Sequence, residues 1–180
     1  MSDPSGPTDL DEWVGGDFQS GPAGNGAIAL CGACRRIDHC RLGLRTEFLG
    51  ADGRVTTEIV CAETEEGGPG VAHGGWTAGV LDELVGHVPL LHGQLAVTGE
   101  LKVRFIKPVP IGRPLLATAW RERKEGSRWY VRAVLILAST GAELATADGV
   151  LVERDRAHFA RHRTWLAQQD QAGPTPRSES

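Results

Sequence analysis

The chain lacks most of what would mark a secreted scaffold, a membrane protein or a nucleic-acid binder. It has four cysteines in 180 residues, unevenly placed at Cys31, Cys34, Cys40 and Cys61. That is too few for a disulfide framework, and a chain of this length can bury a proper core without one. No block of Lys or Arg stands out among 19 basic and 23 acidic residues, and the net charge is −4. A nucleic-acid or anionic-membrane partner is therefore not expected. No apolar run approaches the length needed to span a bilayer. The stretch Met1–Asp17 is acidic and glycine-rich, without the basic start and apolar centre of a signal peptide. No internal repeat is visible. One cytoplasmic domain is the expectation.

What is present has a simple order. Residues 1–26 are rich in Gly, Pro, Ser and Asp, with Trp13 and Phe18 as their large anchors, and read as a flexible arm. Residues 27–168 read as the folded domain and residues 169–180 as a disordered tail. Within the domain, Leu42–Leu49 and Arg54–Ala62 flank Ala51-Asp52-Gly53, an Asp-Gly hairpin signal. A breaker-rich stretch, Glu65-Glu66-Gly67-Gly68-Pro69-Gly70, precedes a long helical pattern ending at Leu91. Four strands are expected after it: Leu95–Lys107, Leu115–Arg123, Arg128–Ala138 and Glu143–Glu153. The last two, long and mostly apolar, should be central. In the first of the four, alternation sets Val97, Gly99, Leu101, Val103 and Phe105 on one face and Thr98, Glu100, Lys102 and Arg104 on the other. Asp155 is placed to cap a short final helix through Trp165. A long antiparallel sheet with one central helix is an α+β layout.

The central helix carries the chemistry. His73-Gly74-Gly75 stands at its start, where unpaired N–H groups carry partial positive charge and glycines admit a ligand close to the backbone. Such an end suits a developing oxyanion. At about 100° per residue, Gly75, Gly79, Asp82 and Gly86 share one stripe, while Val80, Leu81, Leu84, Val85, Val88 and Leu91 form the opposite, apolar arc. From His73 to Leu91 the only acidic or basic residues besides histidine are Asp82 and Glu83. A solvated face would carry more charge, so the stripe is expected to be covered, with Asp82 in a seam against a second subunit. Residue types alone leave the plainer alternative open: a surface aspartate with incidental glycines.

These segments together resemble the hotdog-fold acyl-CoA thioesterases, in particular the phenylacetate-pathway and THEM-type members. The matching text is Val71-Ala72-His73-Gly74-Gly75 to Leu81-Asp82-Glu83, then Ala96-Val97-Thr98-Gly99-Glu100-Leu101-Lys102-Val103-Arg104-Phe105 and Lys107-Pro108-Val109-Pro110-Ile111-Gly112. Cys31-x2-Cys34 and Leu42-Gly43-Leu44 also match. The likeness spans about residues 30–153. It implies a hotdog fold, a long antiparallel sheet wrapped around one helix. It implies Asp82 as general base or nucleophile at a thioester carbonyl, with the Gly74 N–H polarising that carbonyl and His73 positioning it. It implies that Thr98 contacts the water or the aspartate from across a subunit seam. A homodimer or homotetramer is implied, with coenzyme A entering only as part of the substrate and no separate cofactor. Two departures stand out: Gly67 where many members carry Asn, and the bulky Trp76, which would narrow the acyl pocket.

Each assignment has a plainer rival. His73 could simply cap the helix, and Thr98 could be an ordinary strand threonine. Arg104 and Lys107 could grip the phosphates of coenzyme A, or be surface charge. His87 and His92, late in the helix, would complement its dipole. Cys31-x2-Cys34-x4-His39-Cys40 offers thiols and an imidazole, but His39 and Cys40 are adjacent and no second C-x-x-C follows, so no metal is expected. The rival functions are a non-catalytic acyl-CoA-binding protein of the same fold and a thioesterase for carrier-protein-bound acyl groups. A dehydratase is disfavoured because its motifs are missing.

Overall fold

Turn chemistry sets the first hairpin. In a computed structural model, which describes residues 26, 28, 30–155 and 157–172, Asp52 Oδ1 accepts the Arg54 N–H at 3.1 Å and Gly53 takes φ 76°. This Asp-Gly turn joins β1 (Leu44–Leu49) to β2 (Val55–Val60), after a single turn of helix, α1 (Gly32–Arg35). The stretch around Gly67 is not a plain loop. It forms a small ribbon of β3 (Glu66–Gly68) and β4 (Val71–Ala72), closed by the Gly70 N–H donating to the Glu66 carboxylate. Then come α2 (Gly74–Leu91), β5 (Ala96–Phe105), β6 (Pro114–Glu125), β7 (Arg128–Leu137), β8 (Glu143–Glu153) and α3 (His158–Ala172).

Six strands make one antiparallel sheet in the order β1-β2-β6-β7-β8-β5, with β7 and β8 inside it as their apolar sequences require. The apolar arc of α2 lies on this sheet: Val80, Leu81, Leu84, Val85 and Val88 are fully buried. Each such side chain contributes roughly 1.5–3 kcal/mol through burial. The helix can sit close because the strands beneath it present small residues, Ala117, Ala119, Ala133, Ala145 and Ala147, all buried. Gly149 is the tightest point, where a Cβ would come within 3.0 Å of Val85 Cγ2. The architecture is the α+β hotdog arrangement expected above.

Two local expectations are corrected. The alternation of β5 breaks at Gly99: Thr98 pairs with Leu151 and Glu100 with Val150, so two steps on β5 match one on β8. Leu151 is buried on the helix side, so Thr98 shares that side with Leu101, Val103 and Phe105 and not with Glu100, Lys102 and Arg104. The final helix begins at His158 and runs to Ala172, past both the expected end at Trp165 and the expected tail boundary. Asp155 stands at the start of that helix as expected: its carbonyl accepts the His158 N–H at 3.1 Å, and its carboxylate takes the Ala157 N–H and, at 2.9 Å, the Arg161 guanidinium. Trp13 and Phe18 of the arm, and residues 173–180 of the tail, lie outside the described residues. No described helix is long and apolar enough to cross a membrane.

Candidate active site

The start of α2 is fixed from both sides. The Ala72 N–H donates to Val109 O at 2.8 Å and the His73 N–H to Glu65 O at 2.7 Å. These bonds hold His73 in an extended conformation as the cap of α2. Its ring then turns back, and Nδ1 accepts the Gly75 N–H at 2.9 Å. A ring nitrogen that accepts here carries no proton, so Nε2 is left as the outward-facing donor. The His73 carbonyl takes the Thr77 N–H at 3.1 Å. Gly74 has no such partner among the described residues, and its exposed N–H is free for a ligand. His73 is thus a capping residue in fact, and it leaves the Gly74 donor open.

Gly67 explains one departure from the family pattern. A Cβ at this position would lie 2.6 Å from His73 Cα. The β3–β4 ribbon packs its backbone directly on the helix cap, so no asparagine side chain could be accommodated there. Trp76 is buried, with its Nε1 unpartnered.

An open cavity of about 290 Å³ adjoins the Gly74 end, walled by Ala72, Gly74, Thr77, Phe105, Lys107 and Val109 among others. Phe105 and the neighbouring Ile106 are large apolar side chains left 58% and 42% exposed, an apolar rim for an apolar ligand. Lys107 brings a positive charge to the same rim. Arg104 does not join it, since it belongs to the opposite face of β5 from Phe105.

Asp82 lies deeper. It is half-buried, and its Oδ1 is fully buried without a hydrogen-bond partner. An unpaired buried carboxylate oxygen is costly, and such costs concentrate at working sites. The glycines beside it leave space: a Cβ at Gly79 would meet only Leu42 Cδ2 at 3.8 Å, and one at Gly86 nothing within 4 Å. Part of the stripe is therefore covered by the chain's own segment at Leu42, and part stands open. Thr98 is on the helix side of its strand, exposed, and makes no hydrogen bond to Asp82 within the chain.

Sequence reasoning missed a charged cluster. His87 is not a dipole partner at the helix end but is buried between two carboxylates, with Nδ1 donating to Glu47 Oε1 at 2.6 Å and Nε2 facing Glu83 Oε1 at 3.4 Å. Burial opposes its charged form, but the hydrogen bonds to Glu47 and Glu83 and their charges outweigh this and push its pKa up to about 10. The Glu83 carboxyl is also desolvated, yet the bond to His87 and its charge hold it below the usual range. The Glu83/His87 spacing of four was a local signal for half of this cluster. Glu47, forty residues away, gave none.

The sign of the His87 shift gives a test. A histidine whose folded pKa is raised adds stability that is whole below its ordinary value near 6.5 and fades as pH rises through about 10. His87→Leu should cost about 3–5 kcal/mol near pH 6, because it removes the buried cation that faces Glu47. The gap to wild type in urea unfolding should narrow towards pH 10. A gap that widened with pH would mean that the imidazole is buried neutral.

The cysteines are unpaired thiols. All four are free. Cys34 is pushed up to about 11, first by burial, and Cys61 likewise, which disfavours the thiolate at neutral pH. His39 Nδ1 pairs with Ile37 O at 2.7 Å. Among the described residues no group of three or more His, Cys, Asp or Glu could hold a metal ion.

Comparison with known proteins bears on the fold and the family. The family model described as "Thioesterase superfamily" matches residues 69–143, from the β3–β4 turn to the start of β8. A crystal structure of a thioesterase superfamily protein aligns at TM-score 0.57 and 24% identity, covering 62% of this chain and 54% of that one. The chain thus spans about half of that relative's length. A Streptococcus mutans protein bound to acetyl CoA aligns at TM-score 0.54 and 21% identity, covering 58% and 83%. The E. coli PaaI protein of the phenylacetic acid degradation operon aligns at TM-score 0.54 and 17% identity, covering 58% and 75%. At these identities the structures speak for the fold, and the family match speaks for the glycine-led helix and the strand after it. Residues 69–143 thus match the thioesterase superfamily, and the whole is carried on a hotdog fold.

Proposed function

We propose that this protein hydrolyses acyl-CoA thioesters to the free acid and coenzyme A, at sites shared between two copies of the chain. The observation that carries the reading is Asp82, a half-buried carboxylate with an unpartnered oxygen, on the helix whose Gly74 N–H is open. Asp82 would activate a water or attack the carbonyl itself, and the Gly74 N–H would hold the oxyanion. The outward Nε2–H of His73 would steady the thioester. The acetyl CoA held by the Streptococcus mutans relative supports coenzyme A as the carrier. Lys107, at the cavity rim, would meet its phosphates. Arg104, on the other face of β5, has no part in this within one chain.

Geometry argues for the second copy. Eight residues of helix separate Gly74 from Asp82, roughly 12 Å along the axis. One carbonyl needs its nucleophile and its oxyanion donor each within about 3–3.5 Å, so the two groups must stand about 7 Å apart or less. Within one chain the carboxylate therefore stands too far away to attack a carbonyl held by its own Gly74 N–H, and only an interposed water could bridge the gap. Two α2 helices running antiparallel across a twofold axis would set Gly74 of one beside Asp82 of the other, twice. Thr98, turned to the helix side by the bulge at Gly99, would then contact the aspartate or its water across the same seam.

The direct test is release of free thiol from a panel of acyl-CoAs, from short and long chains to aryl-acyl groups, with and without a strong chelator. At least one should turn over with kcat on the order of 1 s⁻¹ or more, unaffected by the chelator. Binding without turnover across the panel would favour a non-catalytic acyl-CoA-binding protein, and turnover only of carrier-protein thioesters would move the substrate class.

A further inference from the structure

We propose that His87 is a positioning residue: held between Glu47 of β1 and Glu83 of α2, it fixes the rotation of α2 and thereby the bearing of Asp82. The proposal rests on the active-site reading above. Asp82 Oδ1 accepts no hydrogen bond within the chain, so among the chain's own contacts the bearing of α2 sets where the carboxylate stands. Within the chain the stripe beside it does little to key the helix by shape: a Cβ at Gly79 would meet only Leu42 Cδ2, at 3.8 Å, and one at Gly86 nothing within 4 Å. The opposite arc is aliphatic and packs on the sheet with Val85 over Gly149, a contact that resists separation but has less direction than a hydrogen bond. The bond from His87 Nδ1 to Glu47 Oε1, 2.6 Å long and buried, supplies that direction. On the outer side Glu83 meets His87 at 3.4 Å and feels the charge of Arg41. Arg41, Glu83, His87 and Glu47 therefore form a series of alternating charge, which runs from the surface across the helix to the edge strand.

The lever is short. His87 lies about 7.5 Å along the axis from Asp82. A carboxylate about 6 Å from that axis moves about 1 Å when the helix turns by 10°. A misplacement of that size can cost as much as about 100-fold in rate.

The test removes the clamp without leaving a lone buried charge. Replacing a buried ion pair by apolar groups of similar volume is commonly neutral for stability. Glu47→Met/His87→Leu should therefore melt within a few degrees of wild type, while its kcat falls by about 10-fold or more with KM changed less than about twofold. His87→Asn, which keeps a donor where Nδ1 stands, should retain at least about a third of kcat. Amide exchange between Gly79 and His87 should rise by about 10-fold or more in the double variant, whatever the substrate proves to be. A folded double variant with more than half of wild-type kcat would overturn the proposal. So would unchanged amide exchange, or a double variant that fails to fold, since the cluster would then hold the fold together and not the bearing of Asp82. Failure of the active-site reading itself shows separately, as undiminished hydrolysis by Asp82→Asn.

Discussion

Asp82→Asn is expected to lower kcat on the best acyl-CoA by about 10²–10⁴-fold and to leave the fold intact. The two side chains have nearly the same shape, so the packing of α2 does not change. The amide can neither take a proton from water nor attack a carbonyl. Stability should hold or rise, because Oδ1 is buried without a hydrogen bond, and a neutral amide is cheaper to keep there than a carboxylate. Steady-state hydrolysis with a thermal melt of the same sample decides it. An Asn variant within about threefold of wild-type kcat removes Asp82 from the mechanism. An Asn variant that is inactive and also melts well below wild type makes Asp82 a structural residue.

Mixed dimers of Gly74→Pro with Asp82→Asn are expected to recover activity that neither parent has. Proline suits the first position of a helix, where its missing N–H breaks no internal bond. His73, at φ −61° and ψ 139°, already has the extended conformation that a residue before proline prefers. Gly74→Pro therefore deletes the proposed oxyanion donor with little change of fold, and loss of one such donor costs about 10²–10³-fold. In a heterodimer the Asp82→Asn chain supplies an intact Gly74 and the Gly74→Pro chain an intact Asp82. If the two groups meet across the seam, one of the two sites is whole, and the heterodimer should show about half of wild-type activity. If both groups serve one chain's site, no site is whole. Purified heterodimers, checked by two different tags, that stay as inactive as their parents would refute the shared site.

Much of this architecture was readable along the chain because it depends on neighbours in sequence. The Asp-Gly turn, the apolar arc of α2 and the glycine-led helix start are local patterns, and each stands where its pattern puts it. What escaped depends on pairing at a distance. Nothing near Glu47 says that an inward carboxylate of β1 will meet a histidine forty residues on, since a charge among strand residues reads as solvent-facing until its partner is placed. Gly67 read as a missing polar group, when the packing of the ribbon on His73 requires a glycine. The end of α3 falls later than expected because no buried side chain marks its length, and the breakers Gly173-Pro174 come only after Ala172.

The bulge at Gly99 has a wider meaning for β5. Gly99 acts as a spacer that divides the strand into two reading frames. Glu100–Phe105 keeps one frame, in which Leu101 and Val103 pack on the core, and Ala96–Thr98 keeps another, in which Ala96 packs on the core and Thr98 is exposed. Substitutions at Thr98 can therefore retune the chemistry near Asp82 without repacking the core. The count of residues between Asp82 and Thr98 is consequently a poor ruler for this site. A relative with no extra residue would show the same face with one position fewer. The pairing of Thr98 with Leu151 is the mark to align on.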